Sequence, residues 1–270
     1  MINAGNALAV ARIPGFHLDM VNYDLMHSLH LGILHLVIGS ALFTLLDENY
    51  FSVQEHGPWT VRFTAGLRVA WTRFKAFLRA HGLTSHQPKF SVARMTLTAK
   101  SGPPVWKGKA GDNMCVTRWL LHEFLMYART TRSSAHETIA SCLWGWVRCA
   151  DVLGKADLFL TDLELADLEQ ARVAGLQCYA ILAHIAIASG SQLWRSIPKF
   201  HYVDHCLRSS WSNIHGRMNA SRGLCFAGED FIGRVVRMAH KRVNMNQLIR
   251  KYLLRIHLML RRGSESAPKL

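Results

Sequence analysis

The chain has 270 residues, half of them apolar, enough for one sizeable domain or two small ones and too apolar for a disordered tail. Its formal net charge is +14, and the excess sits at one end: residues 195–270 carry 15 Lys/Arg against four Asp/Glu, whereas residues 1–194 carry 17 against 14. A basic end of this kind suits a polyanion, nucleic acid or an anionic membrane surface, with a solvated basic face as the alternative. The six cysteines form no C-x-x-C pair, which predicts reduced thiols in cytosol or nucleus. No basic region precedes the first apolar stretch, so no signal peptide is expected. The most apolar window, Leu31 to Leu46, spans 16 residues and contains His35. It falls short of the roughly 20 residues that a membrane span needs, and no membrane partner is expected.

In chain order, Pro14-Gly15 marks a turn and Phe16 to Val21 a short strand. From Asp24 to Leu46 the chain reads as a helix, with Leu31, Leu34, Ile38 and Leu42 at helical spacing. A second helix is predicted from about Thr60 to Ala80, its apolar face built from Phe63, Leu67, Ala70, Phe74 and Phe77. Residues 82–111, punctuated by glycine and proline, read as a loop. Helices follow over about Asn113–Ala128, Ala135–Leu153 and Thr161–Ala188, the last opened by Thr161-x-x-Glu164 in the form of a capping box. Pro198 opens a short segment, Lys199 to Leu207, and residues 209–228 read as a loop. Two basic helices close the chain, about Glu229–Val243 and Gln247–Arg262, with Asn246 as the cap between them. Strand signal is scarce, so the expected class is mainly α. The tryptophans, among them Trp71, Trp119, Trp144 and Trp146, are spaced like helix-packing anchors and are assigned to the core. The acids Asp151, Asp157, Asp162, Glu164, Asp167 and Glu169 read as a solvated loop and helix start.

Asp24 and His27 stand three apart at a predicted helix start, so both can point the same way and together orient a metal, a water or each other. The plainer reading is that Asp24 caps the helix and His27 is an ordinary first-turn residue. His201-x-x-x-His205, with Cys206 adjacent, puts two imidazoles on one helical face. The zincin motif wants Glu where Tyr202 stands and no fourth ligand is evident, so zinc is not expected. Phe200 and Val203 are expected to face the core. Between Phe231 and Ser264 there are nine Lys/Arg and no acid. Arg234, Arg237 and Lys241 share one face of the first basic helix, opposite Ile232, Val235, Val236, Ala239 and Val243; Arg242, Arg250, Lys251 and Arg255 extend the basic surface. Such a row binds DNA by counterion release with little sequence preference. Aromatic interleaving is scarce, which speaks against single-strand stacking.

Several blocks carry a family resemblance. The stretch Asn22-Tyr23-Asp24-Leu25-Met26-His27, with its apolar helix and the step Gly39-Ser40-Ala41-Leu42, resembles the D-x-M-H segment of CACTA-type DNA transposases. Val105 to Asp112, Ile197 to His205 and Phe226 to Phe231 resemble later blocks of that family in the same order. The resemblance implies an RNase H-like core interrupted by a helical insertion, with three acids holding divalent metal, usually Mg²⁺, for phosphodiester cleavage and strand transfer. It assigns Asp24 and His27 beside the active site and Glu229 as the last acid and a metal ligand, with Asp230 as its alternative. The strands carrying the first two acids would lie before residue 1, and Asp19 gives no sound reason for promotion to a ligand.

The expected organisation is therefore a remnant of the catalytic core over residues 1–48, a helical insertion-like bundle over 49–208, a loop and basic helices over 209–262, and a tail over 263–270. The expected function is that of a nuclear, DNA-binding transposase remnant that is not autonomously catalytic. Its expected partners are double-stranded DNA and itself or a full-length transposase, and Mg²⁺ enters only with catalysis. The rival readings are a non-enzymatic helical module holding nucleic acid or protein, and a membrane-associated helical protein.

Overall fold

The computed structural model describes residues 24–212 and 217–223, all within the first of two compact units, residues 1–224 and 225–270. The expected strand at Phe16 to Val21 and both basic C-terminal helices lie outside the described residues. The described residues form six helices: α1 (Met26–Asp47), α2 (Trp59–Ala80), α3 (Ala110–Thr131), α4 (Ser134–Lys155), α5 (Asp162–Ala188) and α6 (Lys199–Ser212). The opening stretch of α1, Met26–Ile33, is wound as a π-helix and the remainder, Leu34–Asp47, as an α-helix. Short 3₁₀ turns stand at Val92–Met95 and Ala220–Gly223. Among the described residues the only extended pairing is one antiparallel bridge between Phe159 and Met218. The chain is mainly α, as its periodicity predicts.

α1 organises the core because its apolar residues cover every side of it. Ile33, Leu34, Val37, Ile38, Ala41, Leu42 and Leu45 are all fully buried. A helix apolar all round must be enclosed or lie in a membrane. At 22 residues α1 is long enough to cross one, yet 83 % of its most apolar stretch is covered by the protein itself. The second helix of sufficient length and apolarity among the described residues is α5, of whose most apolar stretch 33 % is buried. Around α1 the successive helices pack as neighbours, α2 on α3, α3 on α4 and α4 on α5, while α6 returns to the start of α1.

Residues 82–109 lack regular structure apart from one turn, but they are no solvent loop. Phe90, Met95, Leu97 and Trp106 are buried, and Phe90 packs its ring 5.3 Å from Phe74, 5.1 Å from Trp106 and 5.6 Å from Trp119. The Trp106 backbone N–H donates to the His35 carbonyl at 2.9 Å, the His35 ring donates to the Gly108 carbonyl at 3.2 Å, and Asn113 Nδ2 donates to the His30 carbonyl at 2.7 Å. Gly39 sits where a Cβ would lie 2.2 Å from the Pro104 carbonyl oxygen, so the segment closes directly on the α1 backbone. The buried Glu123 carboxylate accepts from Tyr50 Oη at 2.8 Å, Trp119 Nε1 at 2.9 Å and Arg73 at 3.1 Å, tying α2 and the α1–α2 connection to α3. Burial, and next the hydrogen bond to Glu123, push the Tyr50 phenol up to about 12.

Three further expectations need correction. Trp144 is 36 % exposed, whereas Trp146 is fully buried. Residues two apart on a helix point about 200° away from each other, so one core face cannot take both. The acids of 151–169 are not simply solvated: Asp151 pairs with Arg118, Asp167 with Arg148, and Glu169 accepts from the buried Arg172 at 2.6 Å. Asp204 of α6 also holds Arg172, which links α5 to α6. The expected capping box forms, Thr161 N–H donating to Glu164 at 2.8 Å and Glu164 N–H to Thr161 Oγ1 at 3.3 Å. The expected loop at 209–228 is entered by α6, which runs to Ser212, and beyond it Asn219 is fully buried, donating to the Leu153 carbonyl at 2.8 Å.

α4 and α5 meet at Gly145 and Gly175, where a Cβ on Gly145 would lie 2.4 Å from the Gly175 nitrogen. Gly145→Ala must therefore push the two helix backbones apart, and urea unfolding is expected to show a loss of about 1–3 kcal/mol. Burial holds His30 and His35 below the ordinary imidazole value of 6.5, with nearby Lys199 adding to the effect at His35. Both rings take up a proton less readily in the folded chain than in the unfolded chain, whose imidazoles titrate near 6.5. Their contribution is then full above that pH and lost as pH falls below it. The midpoint of thermal unfolding is expected to drop between pH 7.5 and 5.5, and less so in His35→Gln, whose amide can still donate to Gly108. An equal drop in both proteins would remove His35 from the account.

Candidate nucleic-acid interface and the Asp24–His27 corner

Asp24 stands just ahead of α1, and its carboxylate serves the free amides there. Oδ1 accepts from the Met26 N–H at 2.9 Å, and Oδ2 accepts from the His27 N–H at 3.4 Å and from the ring Nδ1 of the same residue. The structure thus brings Asp24 and His27 together, with the carboxylate acting as a helix cap and as the orienter of the imidazole at once. Lys199, from the start of α6, crosses over α1 at Gly32 and donates from Nζ to the His27 carbonyl at 2.9 Å. Cys206 is buried near the same corner, and burial, followed by the Asp24 charge, pushes its thiol up to about 11. Three of the blocks singled out from the sequence therefore meet on α1: Asp24 to His27 at its start, Val105 to Asp112 along its side, and Ile197 to His205 across Gly32.

A divalent metal pair needs several carboxylates with oxygens turned to one point. Both oxygens of Asp24 already accept hydrogen bonds from α1, and no group of three His, Cys, Asp or Glu side chains is placed to hold a metal among the described residues. The corner as described does not fit a two-Mg²⁺ site. His201 and His205 lie ring to ring, 4.3 Å between centroids, on the exposed side of α6, while Val203 is fully buried and Phe200 packs on Tyr179 at 4.2 Å. Glu229 and Asp230, with the basic row Arg234, Arg237, Lys241, Arg242, Arg250, Lys251 and Arg255, lie outside the described residues.

The described body carries a cationic feature that the division of charge at residue 194 conceals. From His56 to Gly111 there is no Asp or Glu in 56 residues, against ten Lys/Arg. The rest of residues 1–194 holds seven Lys/Arg and 14 Asp/Glu, so a net of +10 and a net of −7 add to the apparent +3. A running window of charge, in place of a count by halves, exposes the segment.

Within this segment, Arg73 pairs with Glu123 and Lys100 with Asp47; the other eight cations form no ion pair with a carboxylate among the described residues. Arg68, Lys75 and Arg79 are exposed and recur at i, i+7 and i+11 on the outer face of α2, a row about 16 Å long. Thr64, Thr72 and Ala76, beside and between them, are small and exposed. The opposite face of α2, with Phe63, Leu67, Ala70 and Phe74, is buried and fixes the row outward. Lys89 follows next to the buried Phe90, and the exposed Lys107 is tied by its N–H to the Arg94 carbonyl at 2.7 Å. Lys109 immediately precedes α3. The arrangement is a fixed set of cations on a rigid helix and the segment clamped beside it, suited to an extended anion.

No protein-family model, curated protein or solved structure matches the chain.

Proposed function

We propose that the chain binds double-stranded DNA through its phosphates, as a transposase-like protein acting in the nucleus. The observation that carries the reading is the acid-free segment 56–111, whose row Arg68, Lys75 and Arg79 stands exposed on α2 without carboxylate partners among the described residues. Asp151, Asp167 and Glu169, by contrast, each stand in an ion pair with an arginine. Cations of like sign without such partners reinforce one another's field. Small side chains among the cations allow a phosphate backbone to approach the helix. The row offers no exposed aromatic ring for base stacking: Trp71 is half-buried, held against Phe90 at 5.3 Å. Duplex binding by charge neutralisation, with little sequence preference, follows from this composition. The resemblance to CACTA-type transposases supports the same class of partner and adds the C-terminal row of Arg234, Arg237 and Lys241. The resemblance also implies Mg²⁺-dependent strand cleavage, but the Asp24–His27 corner does not fit a two-Mg²⁺ site, and cleavage is not part of the proposal.

Purified protein is expected to bind duplex DNA with an affinity that falls steeply with salt. Changing Arg68, Lys75 and Arg79 together to Gln is expected to lower the slope of log K against log salt by about 2–3, since each neutralised phosphate contributes about 0.9. Circular dichroism confirms that the surface variant is folded. An unchanged slope, with binding abolished by Arg234→Glu, Arg237→Glu and Lys241→Glu, would move the interface to the C-terminal row. No binding by the unaltered chain at low salt would overturn the proposal.

A further inference from the structure

The chain holds a second exposed face of opposite character. Between Arg172 and Arg195 there is no Asp, Glu, Lys or Arg, a run of 22 residues that includes the second half of α5. The inner side of this stretch, Gly175, Tyr179, Leu182 and Ala186, is buried on the body. Its outer side is apolar and open: Ile181 is 50 % exposed, Ile185 52 % and Ile187 76 %. Apolar side chains at this density on a solvent-facing helix are consistent with a contact surface.

The geometry points to a second copy of this chain as the occupant, docked through α5 in an antiparallel pair about a two-fold axis at Ile181. Charge selects the partner. A chain of net charge +14 repels its own kind, so two copies approach most readily where neither presents cations, and residues 173–194 are an uncharged stretch with an exposed side. The face equally offers nothing to nucleic acid or an acidic peptide. A helix adsorbed on a membrane would be expected to carry Lys or Arg along its polar flank, and none is present here.

The sequence on this face is also self-complementary. Ala174, Ile181 and Ala188 recur every seven residues, the spacing that keeps two helices in contact at a shallow crossing angle. Antiparallel pairing at Ile181 places Ala174 against Ala188 of the second copy, Gln177 against Ile185, and Ile181 against itself. The same patch then serves both partners, as a two-fold interface requires. Ala174 to Ala188 spans about 21 Å of helix, which puts the contact at the small end of specific interfaces and the affinity on the order of micromolar.

Sedimentation equilibrium of the full chain without DNA is the test, which keeps it independent of the nucleic-acid reading. A concentration-dependent dimer is expected, strengthened by salt. In Ile181→Glu with Ile185→Glu, carboxylates would face each other across the axis, and association is expected to weaken at least about tenfold. Both positions are half exposed, so the variant is expected to keep the circular dichroism of the parent. In a Cys178→Ser background, Ile181→Cys is expected to form a covalent dimer on mild oxidation and Leu163→Cys, at the far end of α5, is not. A monomer up to about 100 μM, equal cross-linking of the two cysteine variants, or flotation of the protein with zwitterionic lipid vesicles would each overturn the inference.

Discussion

An α-helix with apolar residues on every side cannot be left against water, and α1 is such a helix. Leaving six of its large side chains exposed would cost about 1.5–3 kcal/mol each, so the rest of the body is arranged to enclose it. Helices alone do not close the wall. The gap is filled by residues 82–109, an irregular segment that must satisfy its own backbone while lying against an apolar surface. It does so by hydrogen bonding to α1: Trp106 N–H to the His35 carbonyl and the His35 ring to the Gly108 carbonyl. Ser40, buried on the same helix, accepts the Trp194 N–H at 2.9 Å and anchors the chain entering α6. α1 therefore works as a scaffold with polar fixing points set into an apolar rod.

Enclosing α1 has an electrostatic consequence. α2 and the 82–109 segment spend their apolar residues inward, so what remains outward is mostly polar, and in this stretch the charges are of one sign. Of the ten cations over these 56 residues, eight form no ion pair with a carboxylate among the described residues, and Phe63, Phe74, Phe90 and Trp106 of the same stretch are buried. Elsewhere the sequence does the reverse. Arg118, Arg148 and Arg172 each face a carboxylate, and Arg172 is buried between Glu169 and Asp204. Paired charges of that kind contribute little field at a distance, while unpaired ones of like sign add. A polycationic face on a near-neutral remainder is a property of how pairs are distributed, which total charge does not report.

The helices are legible in the sequence because their apolar residues recur at helical spacing between clear stop signals: α2, α3, α4 and α5 all begin and end within about four residues of where periodicity and capping put them. The Thr161–Glu164 box is the clearest case, a local signal answered by local hydrogen bonds. What cannot be read is anything that depends on a partner far along the chain. Nothing near Phe90 announces that it stacks on Phe74 and packs on Trp119, so a packed segment reads as a loop. Nothing near Asn219 tells that it will be buried under Leu153. Residue type assigns Trp144 inward, although its two-residue offset from Trp146 already forbids both from sharing a face. At the corner, spacing correctly puts Asp24 and His27 side by side, but their service as cap and orienter, and the arrival of Lys199 from 172 residues away, need the fold.

The order of helices separates two surfaces that would interfere if they were adjacent. Since α2 packs on α3, α3 on α4 and α4 on α5, the cationic row and the uncharged run are presented by helices at the two ends of that succession. An apolar face beside a polycation would be wetted by counterions and bound phosphates, and self-contact there would have to bring like charges within a screening length, about 8 Å at physiological salt. Placed on α5, the uncharged run is separated from α2 by two intervening helices. It is also bounded by Arg172, already held by Glu169 and Asp204, and by Arg195, whose carbonyl accepts from Tyr179 at 2.8 Å. The charge at its N-terminal boundary is thus neutralised internally. The proposed contacts through α5 and through α2 would therefore be made on different helices of the body.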